Sequence, residues 1–144
     1  MRTGGWARRL CLGAALALVA CGRDGDDAGW NVLVEGDGGE ISVSPARVVP
    51  LGGGTYRLWL RDRIGSPEVD ADGRSYDAFV SQVEFDCGRR RARELVGEIP
   101  QTMLDETDTH APFAVDEPWR PVADEPRMAQ ALAAFCDFAR AKRL

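Results

Sequence analysis

Two stretches of strict alternation constrain the fold more than anything else in the chain. In TYRLWLRDR (Thr55 to Arg63), Tyr56, Leu58 and Leu60 fall on one side, and Arg57, Trp59 and Arg61 on the other. In YDAFVSQVEFDC (Tyr76 to Cys87), Phe79, Ser81, Val83, Phe85 and Cys87 share one side, and Val80, Gln82, Glu84 and Asp86 the other. A period of two puts successive side chains on opposite faces of a strand. The pattern calls for an antiparallel sheet with one face against a core. Trp59 and the aliphatic stems of the arginines cover part of the other.

The flanking segments extend this sheet. Trp30 to Gly36 (WNVLVEG) reads as a strand, Asp37 to Gly39 as a turn, and EISVSP as a second short strand stopped at Pro45. Ile64 to Ser75 reads as a loop. Its Asp70, Asp72 and Gly73 faintly resemble a calcium-binding loop, but Ser81 stands where that pattern needs a bidentate glutamate, so a plain hairpin loop is expected. Gly88-Arg89 reads as a two-residue turn with glycine first, after which RRARELV returns antiparallel. Glu84 or Asp86 then lies across from an arginine.

Gly97 to Trp119 contains three prolines and an acidic centre and reads as a long connection, and WRPV (Trp119 to Val122) as a short edge segment. A helix follows. Asp124 is the expected N-cap and Pro126 suits the first turn. Met128, Ala131, Leu132, Phe135, Cys136 and Ala139 recur at three- and four-residue spacing as one apolar stripe. Cys136 on that stripe can therefore reach the sheet. Arg140, Lys142 and Arg143 sit at the end where positive charge is favourable.

The N-terminus sets the compartment. Arg2, Arg8 and Arg9 precede the apolar run LCLGAALALVA, which is shorter than the about 20 residues a membrane-spanning helix requires. LVAC (Leu18 to Cys21) resembles the lipobox of bacterial lipoproteins. That resemblance implies a signal peptide over 1–20 and a Cys21 that is acylated and becomes the new N-terminus. Several buried acyl chains anchor stably where one would be marginal. Residues 21–29, with GRDGDDAG after the cysteine, form a flexible solvated tether. In the lipoproteins of enteric bacteria that this motif resembles, aspartate after the lipidated cysteine favours inner-membrane retention. Gly22 stands there instead, so the resemblance implies the outer membrane.

Residues 30–144 are one domain, large enough for a single small core. Three of the 18 basic residues lie in 1–20, so what remains carries 15 basic against 23 acidic residues, a net of −8. Such an acidic balance argues against nonspecific nucleic-acid binding. With Cys11 removed and Cys21 lipidated, Cys87 and Cys136 remain, and an isolated pair in an oxidising compartment is usually bridged. Closing a loop of about 50 residues should stabilise the fold by roughly 4 kcal/mol.

These elements together resemble the surface-adhesin E family of bacterial lipoproteins. The shared features are the opening Trp30, SPARV (Ser44 to Val48), RLWL around Trp59, SYDAFVSQVEFDCGRRRAREL, WRPV and the near-terminal Cys136. ADEP (Ala123 to Pro126) replaces the P-G-S often seen after the tryptophan motif, and the segment Gly97 to Glu117 is unusually acidic. The resemblance implies a small antiparallel sheet backed by a helix, a Cys87–Cys136 bridge and a non-enzymatic role, which in the name-giving members is adhesion to host proteins. The expected class is α+β: about five strands, one C-terminal helix, one disulfide.

The expected function is a lipid-anchored binding or accessory module of the cell envelope. The first alternative is a periplasm-facing structural or assembly lipoprotein. Arg89, Arg91 and Arg93, on one face of the returning strand with Arg90 on the other, are the candidate recognition surface for a protein or an acidic glycan. The competing reading pairs them internally with Glu84, Asp86, Glu94 and the acidic connection. A hydrolase built on His110 with Ser75 or Ser81 is a distant alternative, because no glycine-framed nucleophile supports it. One histidine and two bridged cysteines make a poor zinc ligand set, so neither metal nor cofactor is expected.

Overall fold

The computed structural model describes residues 29–104, 114–115 and 117–144. The expected signal peptide, the expected lipidation site Cys21, nearly all of the expected tether and His110 lie outside the described residues.

The strands are β1 (Asn31–Gly36), β2 (Gly39–Val43), β3 (Val49–Gly52), β4 (Thr55–Val69), β5 (Ser75–Asp86), β6 (Arg91–Pro100) and β7 (Arg120–Pro121). One helix, α1 (Pro126–Lys142), follows. The sheet is antiparallel, in the order β1-β2-β4-β5-β6-β7, and β3 also pairs with β4. The chain is thus α+β, with two short strands beyond the five expected. β2 pairs with β4 over Leu60 to Arg63 and β3 pairs with it over Thr55 to Arg57, so the two divide one edge of the longest strand. The SPARV turn between them is a single 3-10 turn, Pro45–Arg47. At the β1–β2 turn, Gly39 has φ 106°, and a Cβ there would collide with the Arg63 carbonyl oxygen. Only glycine fits.

Both faces of the sheet carry buried apolar clusters, where the alternation called for one buried face and a partly covered other. On the inner face, Leu58, Leu60, Val83 and Phe85 pack against Ala131, Leu132, Phe135 and Ala139 of α1. The Phe135 ring meets Tyr56 and Phe85 edge-on, with centroids 5.4 and 5.7 Å away. Full burial of a side chain such as Leu58 or Phe135 contributes about 1.5–3 kcal/mol. On the outer face, Trp59, Val80, Val96, Ile99 and Leu104 form a second cluster, with Trp30 and Met103 packed on it. Arg61, 1% exposed, lies over the Trp30 ring at 5.0 Å and donates to Ser42 Oγ and Glu40 at 3.0 Å each.

Cys87, just past β5, is bonded to Cys136 on α1 with Cα atoms 5.8 Å apart. The bridge fixes the β5–β6 turn to the helix that covers the inner face.

Four local expectations are corrected. β4 runs on to Val69, so the loop before β5 shrinks to Asp70 to Arg74. There the Asp70 carboxylate accepts from the backbone N–H of Asp72 (2.9 Å) and Arg74 (2.8 Å) and from the Tyr76 hydroxyl (3.0 Å). These bonds, led by that of Arg74, hold its pKa below the usual carboxylate range against slight desolvation. The aspartate that resembled a metal ligand turns its own hairpin.

The β5–β6 turn has four residues rather than two: Asp86 and Arg91 form the last ladder pair, so Cys87 and Arg90 belong to the turn instead of closing the hairpin. Asp86 Oδ1 accepts from the Arg89 backbone N–H at 3.0 Å, and Arg90 takes the left-handed conformation at φ 52°. The helix begins after Glu125, which makes no side-chain capping bond, and not after Asp124. Finally, the connection expected from Gly97 is strand as far as Pro100 and then a 3-10 turn, Gln101–Met103.

Candidate functional site

The three arginines singled out from the sequence meet two buried carboxylates. Glu84 and Asp86, 1% and 2% exposed, point to the outer face from the end of β5. Register places Arg57 and Arg93 on either side of Glu84 and Arg91 opposite Asp86. Arg57 donates to Glu84 Oε1 at 2.8 and 3.1 Å, while Arg93 reaches Oε2 at 2.7 Å. Arg91 and Arg89 both converge on Asp86 Oδ2, at 3.0 and 3.3 Å. The guanidiniums of Arg91 and Arg93 also lie over the Trp119 ring, 4.8 and 5.0 Å from its centroid. β7 places that ring by pairing Arg120 with Ala92 and Pro121 with Arg91.

Burial alone would raise the Glu84 pKa, but the hydrogen bonds and positive charge of Arg57 and Arg93 outweigh it and hold the group below its ordinary value. For Asp86 the Arg89 backbone N–H is the largest influence, and Arg91 and the Arg89 side chain add to it. The carboxylates therefore stay ionised under an arginine layer. Arg91 and Arg93 are about one-third exposed and spend their donors inward, whereas the Arg89 side chain is 73% exposed.

The opposite face holds a feature the sequence did not reveal. Among the described residues, part of the inner face beside Met128 is not covered by α1. There lies a cleft of about 350 Å³, with Ile41, Leu60 and Phe79 among its walls and Asp62, Glu94 and Glu98 around it. A smaller cleft of about 150 Å³ shares Ser81, Glu94 and Met128 with it and runs past Ala92 and Val122 to Arg120 and Glu125. Together they make one groove along the N-terminal end of α1.

Two irregularities in the β5–β6 ladder shape this groove. Between the pairs Val83↔Glu94 and Gln82↔Val96 the strand carries an extra Leu95, and between Gln82↔Val96 and Val80↔Ile99 both Gly97 and Glu98 lie opposite Ser81. Bulges bend a strand and redirect its side chains. The missed signal was Glu94: it shares the inward parity of Ala92, where a carboxylate is out of place in a core.

Electrostatically, the charged residues lining the larger cleft are all acidic, whereas Arg93 and Arg120 join Glu94 and Glu125 in the smaller one. Among the described residues Glu94 and Glu98 have no ion-pair partner, while Asp62 pairs with Arg127 at 3.3 Å and Glu125 with Arg120 at 3.1 Å. Burial, followed by the negative charge of Glu117, pushes the Glu94 pKa up. Glu98, although exposed as a residue, is raised by partial desolvation of its carboxyl and by Asp62 and Glu68.

Of the remaining candidates, Ser75 and Ser81 both lie on β5, and His110, the partner either serine would need, lies outside the described residues. The chain matches no family model, no curated protein and no solved structure.

Proposed function

We propose that this chain is a lipid-anchored, non-enzymatic binding module of the bacterial cell envelope, built like the surface-adhesin E lipoproteins. The observation that carries the reading is an open apolar groove held on a disulfide-pinned sheet. Binding sites favour pre-formed concave surfaces on rigid elements. Cys21 and the glycine- and aspartate-rich segment after it supply the anchor and the reach. In this reading the tryptophans that carry the likeness to the adhesin E family are structural. Trp59 fills the outer cluster, Trp30 packs on it and lies under Arg61, and Trp119 lies under Arg91 and Arg93. The arginine face is frame as well, and Arg89 is the most exposed of the arginines that pair with Glu84 and Asp86.

The test is metabolic labelling with palmitate, followed by protease treatment of intact cells. Label should enter the chain and vanish in Cys21→Ser. Cleavage on intact cells indicates a surface-facing module, and protection until the outer membrane is opened indicates a periplasm-facing accessory role. Absence of label from the wild-type chain would overturn the anchored reading.

A further inference from the structure

Resting on the binding-module reading, we infer that the groove beside α1 docks a cationic amphipathic segment of another protein, in which lysine or arginine side chains adjoin apolar ones. Three features carry this. The cleft volume of about 350 Å³ lies at the low end of the roughly 300–1,000 Å³ typical of ligand sites. Its apolar walls, Ile41, Leu60, Phe79 and Met128, offer contact area to apolar side chains. Its charged margin, Asp62, Glu94 and Glu98, is complementary to a cation. Asp62 pairs with Arg127 and the two glutamates have no ion-pair partner among the described residues, while Arg93 and Arg120 line only the smaller cleft.

Charge complementarity decides among occupants. An acidic or phosphorylated segment would meet Glu94 and Glu98 with like charge. The chain's own acidic connection, with Asp105, Glu106 and Asp108, would meet the same repulsion. An incoming cation instead relieves the repulsion that Glu94 feels from Glu117 and that Glu98 feels from Asp62 and Glu68. The apolar floor supplies the affinity and the carboxylates the choice of partner.

The experiment uses the full chain purified in nonionic detergent and three labelled peptides of equal length: lysine–leucine, glutamate–leucine and lysine–serine. Fluorescence anisotropy should show binding of the lysine–leucine peptide, weaker binding of lysine–serine and none of glutamate–leucine. E94Q with E98Q should weaken the first about tenfold, equivalent to about 1.4 kcal/mol, with an unchanged or higher melting temperature. M128K, which gives the groove a cation of its own, should abolish binding.

Equal binding of the glutamate–leucine peptide, lost in M128K, would overturn the charge preference while leaving the groove a docking site. A mass that rises with concentration and returns to monomer in M128K would make the occupant a second copy. Binding that ignores both variants, or no binding by a monomeric chain, would remove the groove from the functional account. The palmitate result is independent of all these outcomes, so failure here and failure of the anchored reading remain distinguishable.

Discussion

Glu84 and Glu94 stand one rung apart on the β5–β6 ladder, yet they belong to opposite faces and opposite electrostatic regimes. Glu84 is almost wholly buried and ionised because Arg57 and Arg93 enclose it. Glu94 is only partly buried, but it has no ion-pair partner among the described residues, and desolvation followed by the charge of Glu117 raises its pKa. A buried charge is tolerable when its partners and hydrogen bonds are complete, and costly otherwise. The outer face therefore stabilises the domain, whereas the inner groove retains a cost that a ligand can relieve.

The largest expected effect tests the frame common to both faces. Cys87→Ala with Cys136→Ala removes a constraint between residues 49 apart and should cost roughly 4 kcal/mol, read as a lower denaturation midpoint. Next, Glu84→Gln and Glu94→Gln should separate. The first leaves Arg57 and Arg93 without their carboxylate and should cost about 2 kcal/mol, a figure moderated because both arginines are over one-third exposed. The second should be neutral or stabilising. Equal losses in urea titrations would erase the distinction.

The two faces should also respond to pH in opposite senses. Glu84 and Asp86 have folded pKa values below the ordinary 4.5 and 3.8, so their contribution is complete above those values and lost as pH falls through the lowered ones. Glu94 and Glu98 have folded values above 4.5, so their cost appears as pH rises from there through the raised values. E94Q with E98Q should flatten that decline in melting temperature, and E84Q should shrink the acid limb.

Smaller effects probe the outer face. Trp119→Ala removes the ring beneath two guanidiniums and should cost about 1 kcal/mol. Arg89→Glu, at the most exposed member of the array, should change stability by less than about 0.5 kcal/mol.

The outer face was legible in the sequence because it follows from parity. Alternation in β4 and β5 and a return through Arg91 and Arg93 dictate which charges meet. The inner groove was not, because two bulges break parity at Leu95 and at Gly97-Glu98, and register irregularities leave little trace in a hydrophobic pattern. The same limit hid the extension of β4 to Val69, where glycine, serine and proline at 65–67 resemble a loop yet continue the strand. Arg90 in a left-handed conformation was equally illegible, since composition favours glycine there.

The most direct test of this division between frame and groove is a carbon-detected NMR titration of the Glu84 and Glu94 side-chain carboxyls, without and with the lysine–leucine peptide. Glu84 should titrate below 4.5 in both conditions, and Glu94 should titrate above 4.5 alone and fall when the peptide binds. A peptide-dependent shift at Glu84 with none at Glu94 would contradict the account.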